Sequence, residues 1–297
     1  MGEREDWIVM PFIGLWEKFT KQALIDCLQQ EGVNVRILAI SNGSDEDVHQ
    51  KLQAFASATG NQVLAWHHQP PLPSLSATWN RALEFVWQMG GEQALVVNND
   101  VRLNPHTYAT LLAEMQKEDA LLVSATGLLE KEYVAAYADD PVPTAGMIAG
   151  RGGPDFSCFL ISKECHQKYH FDENFIPAFC EDLDFHRRLL IDGERARIFG
   201  MNVPFHHING GSNTVKHFND QEVEAFTREV EALSRAYYEK KWLGGVNTES
   251  TISPFHSGVS MVCGCTTTPE LQFCDHEHGH KPLDPADDDV PLGGALR

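Results

Sequence analysis

The sequence has 297 residues, of which 42% are hydrophobic and 22% are charged, a composition typical of globular proteins rather than disordered chains. It carries 23 Lys and Arg against 42 Asp and Glu, a formal net charge of −19. This charge excludes generic binding to nucleic acid or anionic membranes, since both require a basic surface.

The sequence also indicates where the protein is located and whether its cysteines are reduced. No stretch approaches the ~20 apolar residues of a membrane span, and the acidic first six residues differ from the basic start of a secretion signal. We therefore expect a cytoplasmic protein without a transmembrane segment. Cys27, Cys158, Cys165 and Cys180 lie in apolar or helical stretches, where we expect reduced thiols.

The first hundred residues alternate between strand-like and helix-like patterns. Strands are predicted at Trp7–Phe12, Val33–Ile40, Gln62–Trp66 and Ala94–Val97, and helices at Glu17–Gln30, from Asp45 onward, and from an N-cap at Ser76 to Gln88. This alternation predicts an α/β fold with a mainly parallel sheet covered by helices on both faces. Ligands of such open sheets bind beyond the carboxyl ends of the strands. The segments Phe12–Gly14, Ser41–Asp45 and Asn98–Asp100 lie at such strand ends and mark a candidate site.

The second half of the pattern is less regular. Strands are predicted at Leu121–Ala125, Glu132–Tyr137, Phe156–Ile161, Arg195–Phe199 and Val203–His206, a loop at Asp139–Pro154, and helices at Glu181–Ile191 and Phe218–Trp242. The apolar side of the last helix contains Val223, Phe226, Val230, Leu233 and Tyr237. Composition changes after Gly245, so we predict a domain over residues 1–246 and a tail over 247–297.

Three features along the chain suggest chemistry. Asn98 and Asp100 at a strand end suit a divalent cation shared with substrate phosphates. The carboxylates of Glu181, Asp182 and Asp184 open a helix beside aromatic residues, where a base can be tuned. The adjacent His206 and His207 precede a Gly-Gly pair and could complete a metal site. Each also has a structural interpretation, respectively a turn, a helix cap and two surface histidines.

Taken together, the order and spacing of these motifs resemble the GT-A glycosyltransferases, specifically the inverting family 2 that includes rhamnosyltransferase-like enzymes. The resemblance covers about residues 7–215. The segment Val96–Val101 is similar to the family's DXD motif, and Ile40–Asp45 is similar to its nucleotide-binding turn. The acceptor-side ED motif of the family resembles Phe171–Glu173 together with Glu181–Asp184 and Arg187. The pair His206-His207 is similar to the family's late metal-binding His.

The resemblance implies a GT-A, Rossmann-like mixed sheet with a donor half over about residues 1–103 and an acceptor half over about 104–246. It implies a nucleoside-diphosphate sugar donor and a Mn²⁺ or Mg²⁺ ion. Asp100 with His207 or His206 would bind this metal, and Asp182 would be the general base that Glu181 and Asp184 orient. Arg187 or Arg188 could hold Asp184 in an ion pair. The implied donor-binding residues are Pro11, Phe12, Ser41, Asn42, Ser44, Asn80, Asn98, Asn99 and Arg151.

Two departures from the family pattern matter. Ser41 stands where the family usually has an Asp that binds the nucleobase, and Asn98 stands at the first acidic position of the DXD motif. The acceptors of this family include glycans, lipid-linked intermediates and proteins, and fold analogy does not choose among them.

The tail contains a second candidate metal site. Thiolates and imidazoles are ligands that suit Zn²⁺, and the tail supplies Cys263, Cys265, Cys274, His276, His278 and His280. The spacing is not that of a standard CxxC pair, so a flexible His-rich tail that binds metal adventitiously remains an alternative.

Two alternatives to the glycosyltransferase prediction stay open. One is a catalytically degenerate GT-A module that binds sugars or a protein partner. The presence of Asp100, Asp182 and the His pair argues against it, but Ser41 keeps it open. A sugar-phosphate nucleotidyltransferase is disfavoured because the Gly-rich, basic loop such enzymes need is missing after Trp7–Phe12.

Overall fold

A computed structural model describes residues 5–60, 62–128, 154–208 and 221–256. The strands are β1 Asp6–Phe12, β2 Val35–Asn42, β3 Val63–His68, β4 Gln93–Val97, β5 Val101–Arg102, β6 Leu122–Leu128, β7 Cys158–Ser162 and β8 Ile198–His207. The α-helices are α1 Lys21–Leu28, α2 Glu46–Ala58, α3 Leu75–Gln88, α4 Thr107–Lys117, α5 Lys163–Tyr169, α6 Glu181–Ile191 and α7 Gln221–Trp242. A π-helical segment spans Trp16–Thr20, and 3₁₀ turns span Glu194–Arg197 and Pro254–His256.

The described strands form one mixed sheet of order β3-β2-β1-β4-β7-β6-β8-β5. β1, β2, β3 and β4 are mutually parallel, β7 runs antiparallel to β4 and β6, β8 is parallel to β6, and β5 is antiparallel to β8. β4 and β8 therefore run in the same direction, and their carboxyl ends lie on the same side of the sheet.

The sheet is buried on both faces, which explains the continuous apolar runs of its central strands. Alternate residues of β1 belong to different clusters: Ile8 and Met10 pack under α1, α2 and α4, whereas Trp7 and Val9 pack under α3, α5 and α6. The period of two in a strand produces this division. The predicted α/β class, with a mainly parallel sheet between two helical layers, is confirmed.

Several element boundaries differ from the sequence prediction. The N-cap of α3 is Ser74, whose side chain accepts a hydrogen bond from the Ala77 amide, rather than Ser76. The two strands predicted at Arg195–Phe199 and Val203–His206 are one strand, β8, whose pairing with β6 contains a register shift. The helix predicted at Glu17–Gln30 is a π-helical segment followed by α1.

Other differences concern elements and faces. The strand β5 and the helices α4 and α5 were not predicted, and the predicted strand Glu132–Tyr137 lies outside the described residues. The predicted apolar face of the last helix is partly wrong, because Leu233 is 62% exposed. The buried side chains of α7 include Val230, Ser234, Tyr238, Lys241 and Trp242.

Residues after α7 pack back on the domain. Arg187 of α6 donates to the Thr251 carbonyl at 3.0 Å and pairs with Glu249 at 3.5 Å. The domain boundary at 246 stays a prediction, with residues 247–256 in contact with α6. Cys27, Cys158, Cys165 and Cys180 are free and buried, as expected. Among the described helices, none is both long and apolar enough to cross a membrane.

Candidate functional site

Asp100 and His207 meet because of strand pairing. The short strand β5 pairs with the end of β8 so that Val101 lies opposite His207, and the Ile208 amide donates to the Asp100 carbonyl at 2.9 Å. This register brings His207 Nε2 to 3.5 Å from Asp100 Oδ1. Both residues are buried, since His207 is 9% exposed and Asp100 is 3% exposed. The fold therefore brings these two predicted site residues together, and their role as metal ligands stays a prediction.

The environment of His207 favours the charged imidazole when no cation is bound. Burial alone would lower the His207 pKa, but the hydrogen bond and charge of Asp100, with the charge of Asp155, raise it above the usual value. His206 is half-buried, and the alternation of side chains along β8 directs it to the opposite face. His207 is thus the histidine placed beside Asp100.

Asn98 and Asn99 are tied to neighbouring segments. The main-chain N–H of Asn98 donates a hydrogen bond to the Ser157 carbonyl at 2.9 Å. Asn99 Nδ2 donates to Thr20 Oγ1 at 2.9 Å, and Thr20 in turn donates to the Gly14 carbonyl. The Gly14 amide donates to Ser44 Oγ at 2.9 Å. Asn99 and Ser44 therefore fix the segment that follows β1.

The other predicted donor-binding side chains are mostly engaged within the protein. The Asn42 amide group exchanges hydrogen bonds with the main chain of Leu72, at 2.8 and 3.3 Å. Ser41 is completely buried, and its hydroxyl has no partner among the described residues. Pro11 and Phe12 are buried at the end of β1. The burial of Ser41 and the hydrogen bonds of Asn42 leave neither side chain available to a ligand.

Asn80 is a structural anchor for the segment before α6. Its Nδ2 donates to the Phe171 carbonyl and to Glu173 Oε1, at 2.8 and 2.9 Å. Its Oδ1 accepts from the Phe171 amide at 3.0 Å and lies 3.1 Å from His166 Nε2. A side chain with every polar atom engaged inside the fold positions the loop at residues 171–173 rather than a ligand.

Glu181 and Asp182 open α6 directly after an unusual backbone. Phe179 and Cys180 have φ values of 80° and 65°, a region in which non-glycine residues are uncommon and which clusters at functional sites. Glu181 is 6% exposed, and its Oε2 has no partner among the described residues. Asp182 is half-buried and accepts from the Leu183 amide at 2.8 Å.

The two carboxylates hold protons more tightly than isolated ones. Burial and then the charge of Asp182 raise the Glu181 pKa to about 8. Burial also raises the Asp182 pKa, and the charge of Asp155 adds to this. Raised carboxylate pKa values beside a cleft are typical of acid–base sites. Cys180, the residue before them, has a pKa raised to about 12 by burial, so its thiol stays neutral.

Asp184 belongs to a separate buried network. It accepts from Arg188 Nε and Trp242 Nε1, both at 2.9 Å, and pairs with Lys241 at 2.7 Å. Lys241 also pairs with Asp172 at 2.7 Å. Burial opposes the charged form of Asp184, but Lys241 and Arg188 outweigh it and hold its pKa below the usual value. The predicted ion pair of Asp184 is thus made by Arg188, and the network anchors α6 to α7.

Asp155 was not among the predicted residues, yet its negative charge acts on both His207 and Asp182. It raises the pKa of His207 and of Asp182. No motif identifies it, since it lies between a Gly-rich segment and β7 and only the folded chain brings it to β6.

Some predicted residues lie outside the described part of the chain. These are Arg151 and the tail residues Cys263, Cys265, Cys274, His276, His278 and His280. Within the described ranges, no group of three or more His, Cys, Asp or Glu side chains is arranged to hold a metal ion. A metal at Asp100 and His207 would therefore need ligands from substrate or from the rest of the chain.

A separate cavity of about 380 Å³ lies at the outer edge of β3. It is lined by His49, Gln53, Ala65, Trp66, His67, His68 and Arg81. Burial lowers the pKa of His49 and His68, so both imidazoles are neutral at pH 7. The lining contains no carboxylate and none of the predicted site residues, so this cavity does not coincide with the predicted site.

The described architecture is similar to that of a solved glycosyltransferase. A crystal structure of GalNAc-T7 with UDP, GalNAc and Mn²⁺ matches with a TM-score of 0.52 over 80% of this chain. The chain has a GT-A fold. Sequence identity is 11%, and the match covers 50% of the GalNAc-T7 chain, so the likeness concerns the fold. No protein-family model matches the sequence, and a search of curated proteins finds no match.

Proposed function

We propose that this chain is a metal-dependent, inverting glycosyltransferase that moves a sugar from a nucleoside-diphosphate sugar to an acceptor hydroxyl. The observation that carries the proposal is the Asp100–His207 pair, together with the charge of Asp155, which acts on both His207 and the carboxylate of Asp182. The GT-A fold supports it, since the matched GalNAc-T7 was crystallised with UDP, GalNAc and Mn²⁺.

The donor set at Asp100 and His207 fits a divalent cation. One carboxylate oxygen and one imidazole nitrogen face each other at 3.5 Å in a buried position. Mg²⁺ and Mn²⁺ use oxygen-rich sites with few protein ligands, completed by substrate phosphates and water. Asp100 and His207 would hold the ion, which when bound neutralises charge that develops on the departing diphosphate.

Asp182 is the residue that we assign as the general base. It accepts the proton of the acceptor hydroxyl while that oxygen forms a bond to the anomeric carbon. The bond from the same carbon to the diphosphate oxygen breaks, the nucleoside diphosphate leaves with the electron pair, and the configuration inverts. Because Asp182 is more exposed than Glu181, and its charge helps to raise the Glu181 pKa to about 8, we assign the shared proton to Glu181 and the accepting role to Asp182.

The experiment measures release of nucleoside diphosphate from a panel of UDP-, GDP- and dTDP-sugars, with and without Mn²⁺. We expect Mn²⁺-dependent hydrolysis by the wild type and a loss of at least about 100-fold in Asp182→Asn, a typical contribution of one general base. Asp100→Ala should lose activity and its response to Mn²⁺. Asp47→Asn, which removes an exposed charge from α2, is the matched control and should retain activity.

Two results would contradict the proposal. One is the absence of turnover with every donor in the panel, and the other is wild-type rates in Asp100→Ala and Asp182→Asn. Donor binding without turnover would instead indicate a degenerate sugar-binding module. The buried Ser41 and the engaged Asn42 favour that second candidate, since neither side chain is available to a nucleobase.

A further inference from the structure

The carboxylate of Asp155 is held in one orientation by the main chain. The Ser157 amide donates to Oδ1 at 2.9 Å, and the Gly127 amide donates to Oδ2 at 3.2 Å. The Asp155 amide itself donates to Ser124 Oγ at 2.9 Å. Contacts from β6 and from the residues before β7 thus fix this half-buried side chain before any ligand arrives.

Gly127 allows Asp155 to lie beside His207. A Cβ atom at residue 127 would lie 2.9 Å from Asp155 Oδ2 and 3.5 Å from His207 Cβ. The carboxylate and the histidine therefore flank the same position of β6. Because His207 contacts Asp100, Asp155 borders the site that we assign to the diphosphate and its cation.

Asp155 also borders the acid–base side. The next residue, Phe156, packs edge-on against Phe185 of α6, with 5.9 Å between ring centroids. Asp182 opens the same helix, and the charge of Asp155 raises its pKa.

We propose that Asp155 binds hydroxyl groups of the sugar that is transferred and selects neutral sugars. This inference rests on the proposed function. In an in-line displacement the anomeric carbon lies between the leaving diphosphate and the attacking oxygen, so a carboxylate that borders both sides faces the sugar ring. Each carboxylate oxygen keeps acceptor capacity after one amide hydrogen bond. Asp155 and Asp182 would together repel a sugar that carries its own carboxylate.

The first test uses wild-type protein and two donors that differ at one carbon, UDP-glucose and UDP-glucuronic acid. As competitors of the donor that is hydrolysed fastest in the panel, UDP-glucuronic acid should bind at least 10-fold more weakly than UDP-glucose. Equal or tighter binding of UDP-glucuronic acid overturns the selection of neutral sugars.

The second test is Asp155→Asn, which keeps the shape and one acceptor oxygen. We expect kcat/KM for a neutral donor to fall about 10- to 100-fold, as for loss of hydrogen bonds to a charged group, while the Kd of UDP is unchanged. The preference for UDP-glucose over UDP-glucuronic acid should narrow. Asp47→Asn again serves as the control.

The outcomes separate the inference from the proposed function. If the wild type is active and Asp155→Asn has unchanged kcat/KM, the inference is wrong and the proposed function stands. A parallel loss of UDP affinity in Asp155→Asn also overturns it, since the residue would then act on the diphosphate side. If no donor is turned over by the wild type, the proposed function itself fails.

Discussion

Glu181→Gln should change how stability depends on pH. Glu181 is buried with one oxygen unpartnered, and burial and the charge of Asp182 raise its pKa from 4.5 to about 8. Between those values the folded chain keeps a proton that the unfolded chain releases, so the free energy of unfolding falls as pH rises. One pH unit corresponds to about 1.4 kcal/mol, which gives an upper limit of roughly 5 kcal/mol lost between pH 4.5 and pH 8. Gln cannot ionise and should not suffer this loss.

Urea unfolding of both proteins at pH 5, 7 and 9 measures the effect. The stability difference between Glu181→Gln and wild type should be small at pH 5 and increasingly favour the variant toward pH 9. Subtraction of the two curves removes the contributions of titrating groups that do not interact with Glu181. If the curves stay parallel from pH 5 to 9, Glu181 has an ordinary carboxylate pKa in the folded chain and the reasoning is wrong.

Two further predictions concern α7. Lys241→Met should lower the free energy of unfolding by about 3–5 kcal/mol, since it leaves Asp172 and Asp184 buried without their shared cation. The exposed Lys240→Met is the control, and equal urea midpoints for the two variants would count against the network. Val230→Lys should be strongly destabilising and Leu233→Lys within about 0.5 kcal/mol of wild type, because their exposed fractions are 5% and 62%. Thermal melts compare them, and equal losses of stability would support the face predicted from the sequence, which contains both residues.

The fold was predictable where local pattern and burial agree. β1 and β4 are continuous apolar runs, and a strand buried on both faces needs that composition. The helix at Glu181–Ile191 was predicted with its observed bounds because acidic residues open it and apolar residues recur along it. Periodicity misplaced Leu233, since Ser234 and Lys241 are buried by partners that no pattern reveals.

The site was predictable only in part, for a different reason. Asp100 and His207 were identified separately by motif, but their contact depends on the pairing of β5, which is two residues long. Asp155 was missed because its place is set by two contacts with β6, where its carboxylate accepts from the Gly127 amide and its own amide donates to Ser124 Oγ. Asn42 and Asn80 match family positions in sequence, whereas their amides are engaged with Leu72 and Phe171.

The two sides of the site depend on different parts of the fold. Asp100 and His207 are joined by the sheet, through β5 and β8, and need no helix for their contact. The orientation of α6, which presents Glu181 and Asp182, depends on the ion pairs of Lys241 with Asp172 and Asp184. A change that loosens α7 should therefore disturb the proton-accepting side while it preserves the pair assigned to the cation. Because the Asp155 carboxylate borders both sides, it would respond to a disturbance of either one.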